Sequence, residues 1–155
     1  MKKSIPFLFL LFTVLGCVNA RKADEGRPSK QNPSIFESEK QGALQKQILD
    51  KIGKFPEKWE SVDFSKWEKN AVTVYLNYRT MPGSMLEVEL GTKIIAKATL
   101  DVLVANGYDP KKEWLALFVH AQMREKGATG SNMTRRFGKV MYDFNTDSLE
   151  FKPIK

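Results

Sequence analysis

The stretch AVTVYLNYR at residues 71–79 is the clearest strand in the sequence, and the fold is built outward from it. Its apolar side chains, Val72, Val74 and Leu76 among them, alternate with polar or mixed ones. That alternation is typical of a strand with one face buried in a core. The strand therefore predicts a sheet whose second face is chemically mixed.

A helix and a second strand follow at once. Residues 84–105, SMLEVELGTKIIAKATLDVLVA, open on a capping-box pattern of Ser84 with Glu87 and keep helical spacing to the end. A small residue on the apolar stripe, Gly91, lets such a helix lie close to a sheet. Residues 114–123, WLALFVHAQM, alternate again. We expect this strand–helix–strand unit to cross over right-handed.

Two shorter strands are predicted beyond that unit. Residues 124–134, REKGATGSNMT, have the composition of a polar loop. Residues 135–144 alternate again, and after a turn at 145–148 a fourth strand begins at 149–151. These strands are expected to extend the sheet as antiparallel hairpins.

The region before the first strand is less regular. A helix is predicted over residues 35–53, opened by a capping box of Ser34 and Glu37. Residues 56–69, PEKWESVDFSKWEK, show no clean period. We interpret them as a connector whose apolar side chains cover the sheet edge, namely Trp59, Val62, Phe64 and Trp67.

Together these elements predict an α+β fold with a single domain over residues 35–155. The expected architecture is a two-layer sandwich, in which the 84–105 helix packs on a mixed four-stranded sheet of order β-α-β-β-β. An N-terminal helix precedes it. That helix either joins the helical layer or covers the opposite face of the sheet, and the pattern leaves both arrangements open.

The composition fits one globular domain with its own core. Of 155 residues, 42% are hydrophobic and 28% are charged. The net charge of +7 favours an anionic partner and is equally an ordinary charge for solubility. Cys17 is the only cysteine, so no disulfide within the chain and no cysteine-based metal site can form.

The first 20 residues, MKKSIPFLFLLFTVLGCVNA, have the form of an export signal. Two lysines precede an apolar run that is too short for a membrane-spanning helix of about 20 residues. Two cleavage sites compete. Val18-Asn19-Ala20 would release a soluble chain that begins at Arg21. Val14-Leu15-Gly16-Cys17 resembles the lipobox of bacterial lipoproteins, with residues 1–16 as signal peptide.

The lipobox resemblance implies a membrane address. Cys17 would become the N-terminus and carry acyl chains, palmitate among them, and two or more such chains anchor a protein stably. Val18 after the cysteine implies the outer membrane, facing the periplasm. Residues 17–34 then form a lipidated, flexible tether, and its polar part over 21–34 has a reach of about 20 Å.

The sequence contains no recognisable catalytic motif, and we expect no cofactor, no metal site and no enzymatic activity. There is no H-E-x-x-H, no G-x-S-x-G and no S-x-x-K. His120, the only histidine, lies in the middle of a predicted strand. The carboxylates are scattered over helix starts and turns, where capping and local hydrogen bonds account for them.

The most distinctive polar feature is a basic cluster around the 124–134 loop. Basic residues beside an aromatic sheet face suit an anionic partner, here a protein of the cell envelope or an anionic glycan or lipid. Because an exported lipoprotein rarely meets nucleic acid, we expect none. The candidate binding surface consists of Arg124, Lys126, Arg135, Arg136 and Lys139, with Tyr75, Phe118 and Tyr142 on adjacent strands.

These observations favour a non-enzymatic module that binds a protein or another envelope component from its lipid anchor. Two alternatives stay open. A hydrolase of an envelope polymer predicts a pocket that holds His120 with a carboxylate, or two carboxylates close together. A carrier of a small apolar ligand predicts a cavity between helix and sheet.

Overall fold

The computed structural model describes residues 36–154. The elements within that range are α1 (Ser38–Ile52), β1 (Trp59–Glu68), β2 (Ala71–Tyr78), α2 (Met85–Ala105), β3 (Ala116–Lys126), β4 (Asn132–Asp143) and β5 (Ser148–Pro153). The predicted export signal, the lipidated Cys17, the tether and the capping residue Ser34 all lie outside the described residues.

The α+β class and the mixed sheet are confirmed, but the sheet has five strands and not four. Strand order follows chain order, β1-β2-β3-β4-β5. Only β2 and β3 run parallel, and the other neighbours are antiparallel.

The fifth strand is β1, so the prediction of a connector over residues 56–69 is wrong. Two register shifts interrupt its pairing with β2, between Trp59 and Ser61 and between Phe64 and Lys66. A bulge inserts an extra residue and reverses the alternation beyond it. The apolar positions 59, 62, 64 and 67 therefore show no constant period of two, although they belong to one strand.

Helix α2 forms the parallel crossover and lies close to the sheet, as its small residues predict. The Ser84 hydroxyl accepts the Glu87 backbone N–H at 3.2 Å and caps the helix. A Cβ placed on Gly91 would lie only 2.8 Å from Trp59 Cζ2 and 3.0 Å from Leu76 Cδ2. Glycine is thus required for this approach.

Helix α1 joins α2 in one layer, which resolves the open question about its position. The Lys51 ammonium lies 3.2 Å from the Asp101 carboxylate, and Asn106 Nδ2 donates to Gln47 Oε1 at 3.1 Å. Both described helices therefore pack on the same face of the sheet. No described element covers the other face.

The β3–β4 hairpin is longer than the sequence predicts. Pairing continues to Lys126 and resumes at Asn132, so most of the predicted 124–134 loop is strand. Residues 132–136 are all exposed, so no buried face produced a readable alternation. At its other end β3 begins later than predicted, because Trp114 still lies in the preceding turn. Trp114 has a φ of 52° and its side chain is 70% exposed.

Candidate functional site on the open sheet face

The face of the sheet opposite the helices is the candidate functional surface, called the open sheet face below. Register and alternation place its central side chains on the middle strands β2, β3 and β4, and the edge strands β1 and β5 contribute further residues. The central residues, together with Ser61 and Asp63 of β1, are Thr73, Tyr75, Asn77, Phe118, His120, Gln122, Arg124, Arg136, Lys139 and Met141.

Three aromatic rings form the centre of this face. Tyr75 and His120 stack across the β2–β3 pair with ring centroids 5.3 Å apart and planes at 24°. Phe118 lies 6.3 Å from His120 at 29°. Because 5.3 Å is close to the strand spacing of about 4.8 Å, Tyr75 and His120 stand side by side and face each other. A ligand above the sheet would meet ring edges, which carry positive partial charge.

His120 is surrounded by aromatic and cationic groups. Its partial burial, followed by the charges of Lys139 and Arg136, lowers the pKa of the imidazole. Histidine is ordinarily half-protonated near pH 6.5, so this lowered pKa favours the neutral imidazole at pH 7. No carboxylate contributes to its environment within the described residues. The pairing that a hydrolase built around His120 needs is thus missing from this part of the chain.

A buried amide pair lies beside the aromatic centre. Asn77 and Gln122 are neighbours in the β2–β3 register and are 2% and 6% exposed. Gln122 Nε2 donates to Asn77 Oδ1 at 3.0 Å, and Asn77 Nδ2 donates to Ser61 Oγ at 3.0 Å and to Asp63 Oδ2 at 2.7 Å. With every polar atom of Asn77 paired, the network fixes the Asp63 carboxylate at the margin of the face.

Three cations border the rings and the amides. Lys139 is opposite His120 and Arg136 is opposite Gln122, while Arg124 follows two residues after Gln122. The Lys139 ammonium lies 5.6 Å from the Phe118 ring centroid, a cation–π distance. Arg124 lies 3.9 Å from Asp63 Oδ2. Among residues 36–154, Arg136 and Lys139 have no carboxylate within 4.0 Å.

The structure divides the residues of the predicted surface between two faces. Tyr75, Phe118, Arg124, Arg136 and Lys139 lie together on the open sheet face. Lys126 is exposed at the end of the same hairpin, opposite Asn132.

Arg135 and Tyr142 lie on the helix side. Arg135 is opposite the buried Met123, and its guanidinium reaches Met81 Sδ at 3.6 Å. Tyr142 follows Val140 at a spacing of two and is buried with it. Its hydroxyl donates to Asp147 Oδ1 at 2.8 Å, and burial together with that carboxylate raises the pKa of Tyr142 to about 12.

Sequence reasoning missed the amide network. Asn77 and Gln122 stand at polar positions of two predicted strands, which was the available signal. Their pairing depends on the parallel β2–β3 register, and their contact with Asp63 depends on β1. The β2–β3 register is not determined by the sequence of either strand alone. The contact with Asp63 was missed because β1 was not recognised as a strand.

A surface groove of about 820 Å³ lies on the helix side, between the C-terminal half of α2 and the β4–β5 turn. Its floor is largely apolar, and two ion pairs, Lys97 with Asp101 and Lys111 with Asp147, stand at its rim. The apolar lining includes Leu100, Val104, Ala105, Tyr108, Pro110, Tyr142 and Leu149.

Helix α2 also carries an exposed apolar ridge. Leu86, Leu90 and Ile94 are four residues apart and 62%, 53% and 51% exposed. Residues at this spacing follow one line on a helix surface. The ridge points away from the sheet and forms a contact surface separate from the open sheet face.

Comparison of the chain with protein-family models, with curated proteins and with solved structures finds no match. Across residues 36–154, no helix is both long enough and apolar enough to cross a membrane. The same residues bring together no group of three or more histidine, cysteine, aspartate or glutamate side chains that could hold a metal ion.

Proposed function

We propose that this protein is a lipid-anchored module of the bacterial cell envelope that binds a partner without catalysing a reaction. The open sheet face is its contact surface. Cys17 carries the anchor in the outer membrane, with the domain on the periplasmic side. The partner is an envelope protein or an anionic glycan or lipid.

This proposal rests on the open sheet face, which no described helix covers and which carries several cations. Both described helices pack on one face, and half-buried aromatic side chains occupy the other. Arg136 and Lys139 stand there without a described carboxylate partner. A surface that joins apolar rings to unpaired cations has the composition of a recognition site for an anionic partner.

In-cell photo-crosslinking tests the contact surface on the intact protein. A photoreactive amino acid at Thr73 or Met141 would report on the open sheet face, one at Leu90 on the apolar ridge, and one at Lys46 of α1 would serve as a background control. We expect discrete adducts from the first two positions. Adducts from Leu90 alone would move the contact surface to the ridge and refute the proposal.

The anchor is proposed from the leader sequence and has its own test. Intact-mass analysis of the protein extracted from membranes should find an acylated Cys17 at the mature N-terminus. A Cys17→Ser variant should lose that mass increment and leave the membrane fraction. A mature chain that begins at unmodified Arg21 would contradict the anchor while leaving the contact surface untouched.

A second candidate function, the transport of a small apolar ligand, is favoured by the groove beside α2. Its volume of about 820 Å³ lies in the range of small-molecule sites, and its floor is apolar. Native mass spectrometry of the protein purified from cells would detect a retained small molecule. The Ala105→Trp variant, which fills the groove, should lose it. If neither the parent protein nor the Ala105→Trp variant showed a bound small molecule, this candidate function would be excluded.

A further inference from the structure

We infer that the ligand of the open sheet face is an acidic segment of a protein partner, which lies along β3 and β4 with its carboxylates toward Arg124, Arg136 and Lys139. This inference rests on the proposed function and names the ligand class of the same surface.

Positive charge is concentrated in one part of the open sheet face. On the two edge strands the charges pair, with Lys66 of β1 3.3 Å from Glu68 and Lys152 of β5, the neighbour of Lys139, 3.3 Å from Glu150. The Asp143 carboxylate is occupied by Asn145 of the following turn. Among the described residues, Arg124 has the Asp63 carboxylate at 3.9 Å, whereas Arg136 and Lys139 have no carboxylate within 4.0 Å. An anionic ligand would therefore be attracted to the middle of β3 and β4.

The ring geometry argues against a ligand recognised by stacking. Nucleobases are bound in other proteins by stacking on free faces of aromatic side chains. Here Tyr75 and His120 turn their faces to each other, and the Lys139 ammonium is close to the ring of Phe118. What remains available is ring edges and cations, which attract negative charge and offer no flat platform.

The spacing of the cations distinguishes an extended acidic chain from a single anionic group. Arg136 and Lys139 are three residues apart on β4, and Arg124 is opposite Thr134, two residues beyond Arg136. Because β4 has an extra residue between Arg136 and Lys139, the span is counted on β3, where Arg124 lies four residues beyond His120, the neighbour of Lys139. At about 3.3 Å per residue, the three cations extend roughly 13 Å along the strand. One phosphate or headgroup would contact only part of this row. An extended peptide, with alternate side chains on one side, places acidic groups along its whole length.

Two neighbouring arginines provide a matched experiment. With the photoreactive residue at Met141, we compare Arg136→Glu, on the open sheet face, with Arg135→Glu, on the helix side. We expect about a tenfold or greater loss of the protein adduct for Arg136→Glu, since charge reversal in an interface acts on attraction and on encounter. The Arg135→Glu variant should keep the adduct. Arg136→Lys, which retains the charge, should keep most of it and exclude misfolding as the cause.

The identity of the adduct separates failure of this inference from failure of the proposed function. Peptide mapping should place the crosslink in a segment rich in aspartate and glutamate. A lipid or glycan adduct from Met141 would overturn the acidic segment and leave the binding module in place. Equal losses for the two arginine variants would overturn it as well. No adduct from any position on the open sheet face would overturn both.

Discussion

Gly91, where α2 comes closest to the sheet, offers the sharpest test of the packing described above. The Cβ of an alanine there would lie 2.8 Å from Trp59 Cζ2 and 3.0 Å from Leu76 Cδ2. Favourable carbon–carbon contacts are about 3.5–4.0 Å. Both neighbours are buried, so relief requires a shift of the helix or of a packed side chain. Crowding of this kind costs roughly 1–3 kcal/mol.

Gly42 of α1 provides the matched control for the same substitution. It is exposed in a helix interior, and an added Cβ would have nothing within 4 Å. Alanine is favoured over glycine in a helix by about 1 kcal/mol at either position. We therefore expect Gly42→Ala to stabilise the protein by about 1 kcal/mol, and Gly91→Ala to destabilise it by about 1 kcal/mol once crowding of about 2 kcal/mol is included.

Urea unfolding followed by circular dichroism would measure both variants against the parent protein. The helix-propensity contribution cancels between them, so their difference of about 2 kcal/mol isolates the steric contact at Gly91. If Gly91→Ala proved as stabilising as Gly42→Ala, the close approach of α2 to Trp59 and Leu76 would be wrong.

Three further predictions concern the helix cap, the amide pair and the histidine. Ser84→Ala removes the N-cap of α2 and should lower the free energy of unfolding in urea by about 1 kcal/mol. Ser84→Gly should lower it by only a few tenths of a kcal/mol. Equal losses for the two variants would contradict the cap. Asn77→Ala leaves the Gln122 amide without its acceptor and should lower the free energy of unfolding by about 2–3 kcal/mol. The double variant Asn77→Ala/Gln122→Ala should lose less than the sum of the two single variants. Strictly additive losses would argue against the Asn77–Gln122 hydrogen bond. His120 is the only histidine, so an NMR titration should give one imidazole pKa, expected below 6.5. Because the unfolded chain then binds the proton more readily, stability should fall as the pH drops from about 6.5 through the folded pKa, and a midpoint at or above 6.5 would refute the described surroundings.

The elements that the sequence predicted correctly are those with one buried face and an intact period. The strand at 71–78 and the helix at 85–105 each pack a continuous apolar stripe against the other layer, and the stripe appears directly in the order of residues. Ser84 caps that helix as its capping-box pattern indicates. Long-range information was not needed for any of these.

The parts that were missed depend on contacts between distant residues. The bulges in β1 arise from its pairing with β2 and hide its period. The end of the β3–β4 hairpin is exposed on both faces, so backbone pairing alone defines it. For the site, alternation already separates Arg135 from Arg136, yet which of the two belongs with His120 follows only from the β3–β4 register.

The order of the strands has a consequence for how the site comes into being. Pairings β1–β2, β3–β4 and β4–β5 connect strands that follow each other directly in the chain, whereas β2–β3 alone is separated by a long helix. Local hairpins form faster than contacts that must close a long loop. The Tyr75–His120 stack and the Asn77–Gln122 hydrogen bond both connect β2 with β3, the strand pairing expected to form last. The β3–β4 hairpin holds the three cations, but the face is complete only when β2 adds Tyr75 and Asn77, so we expect full binding competence to arise only in the last step of folding.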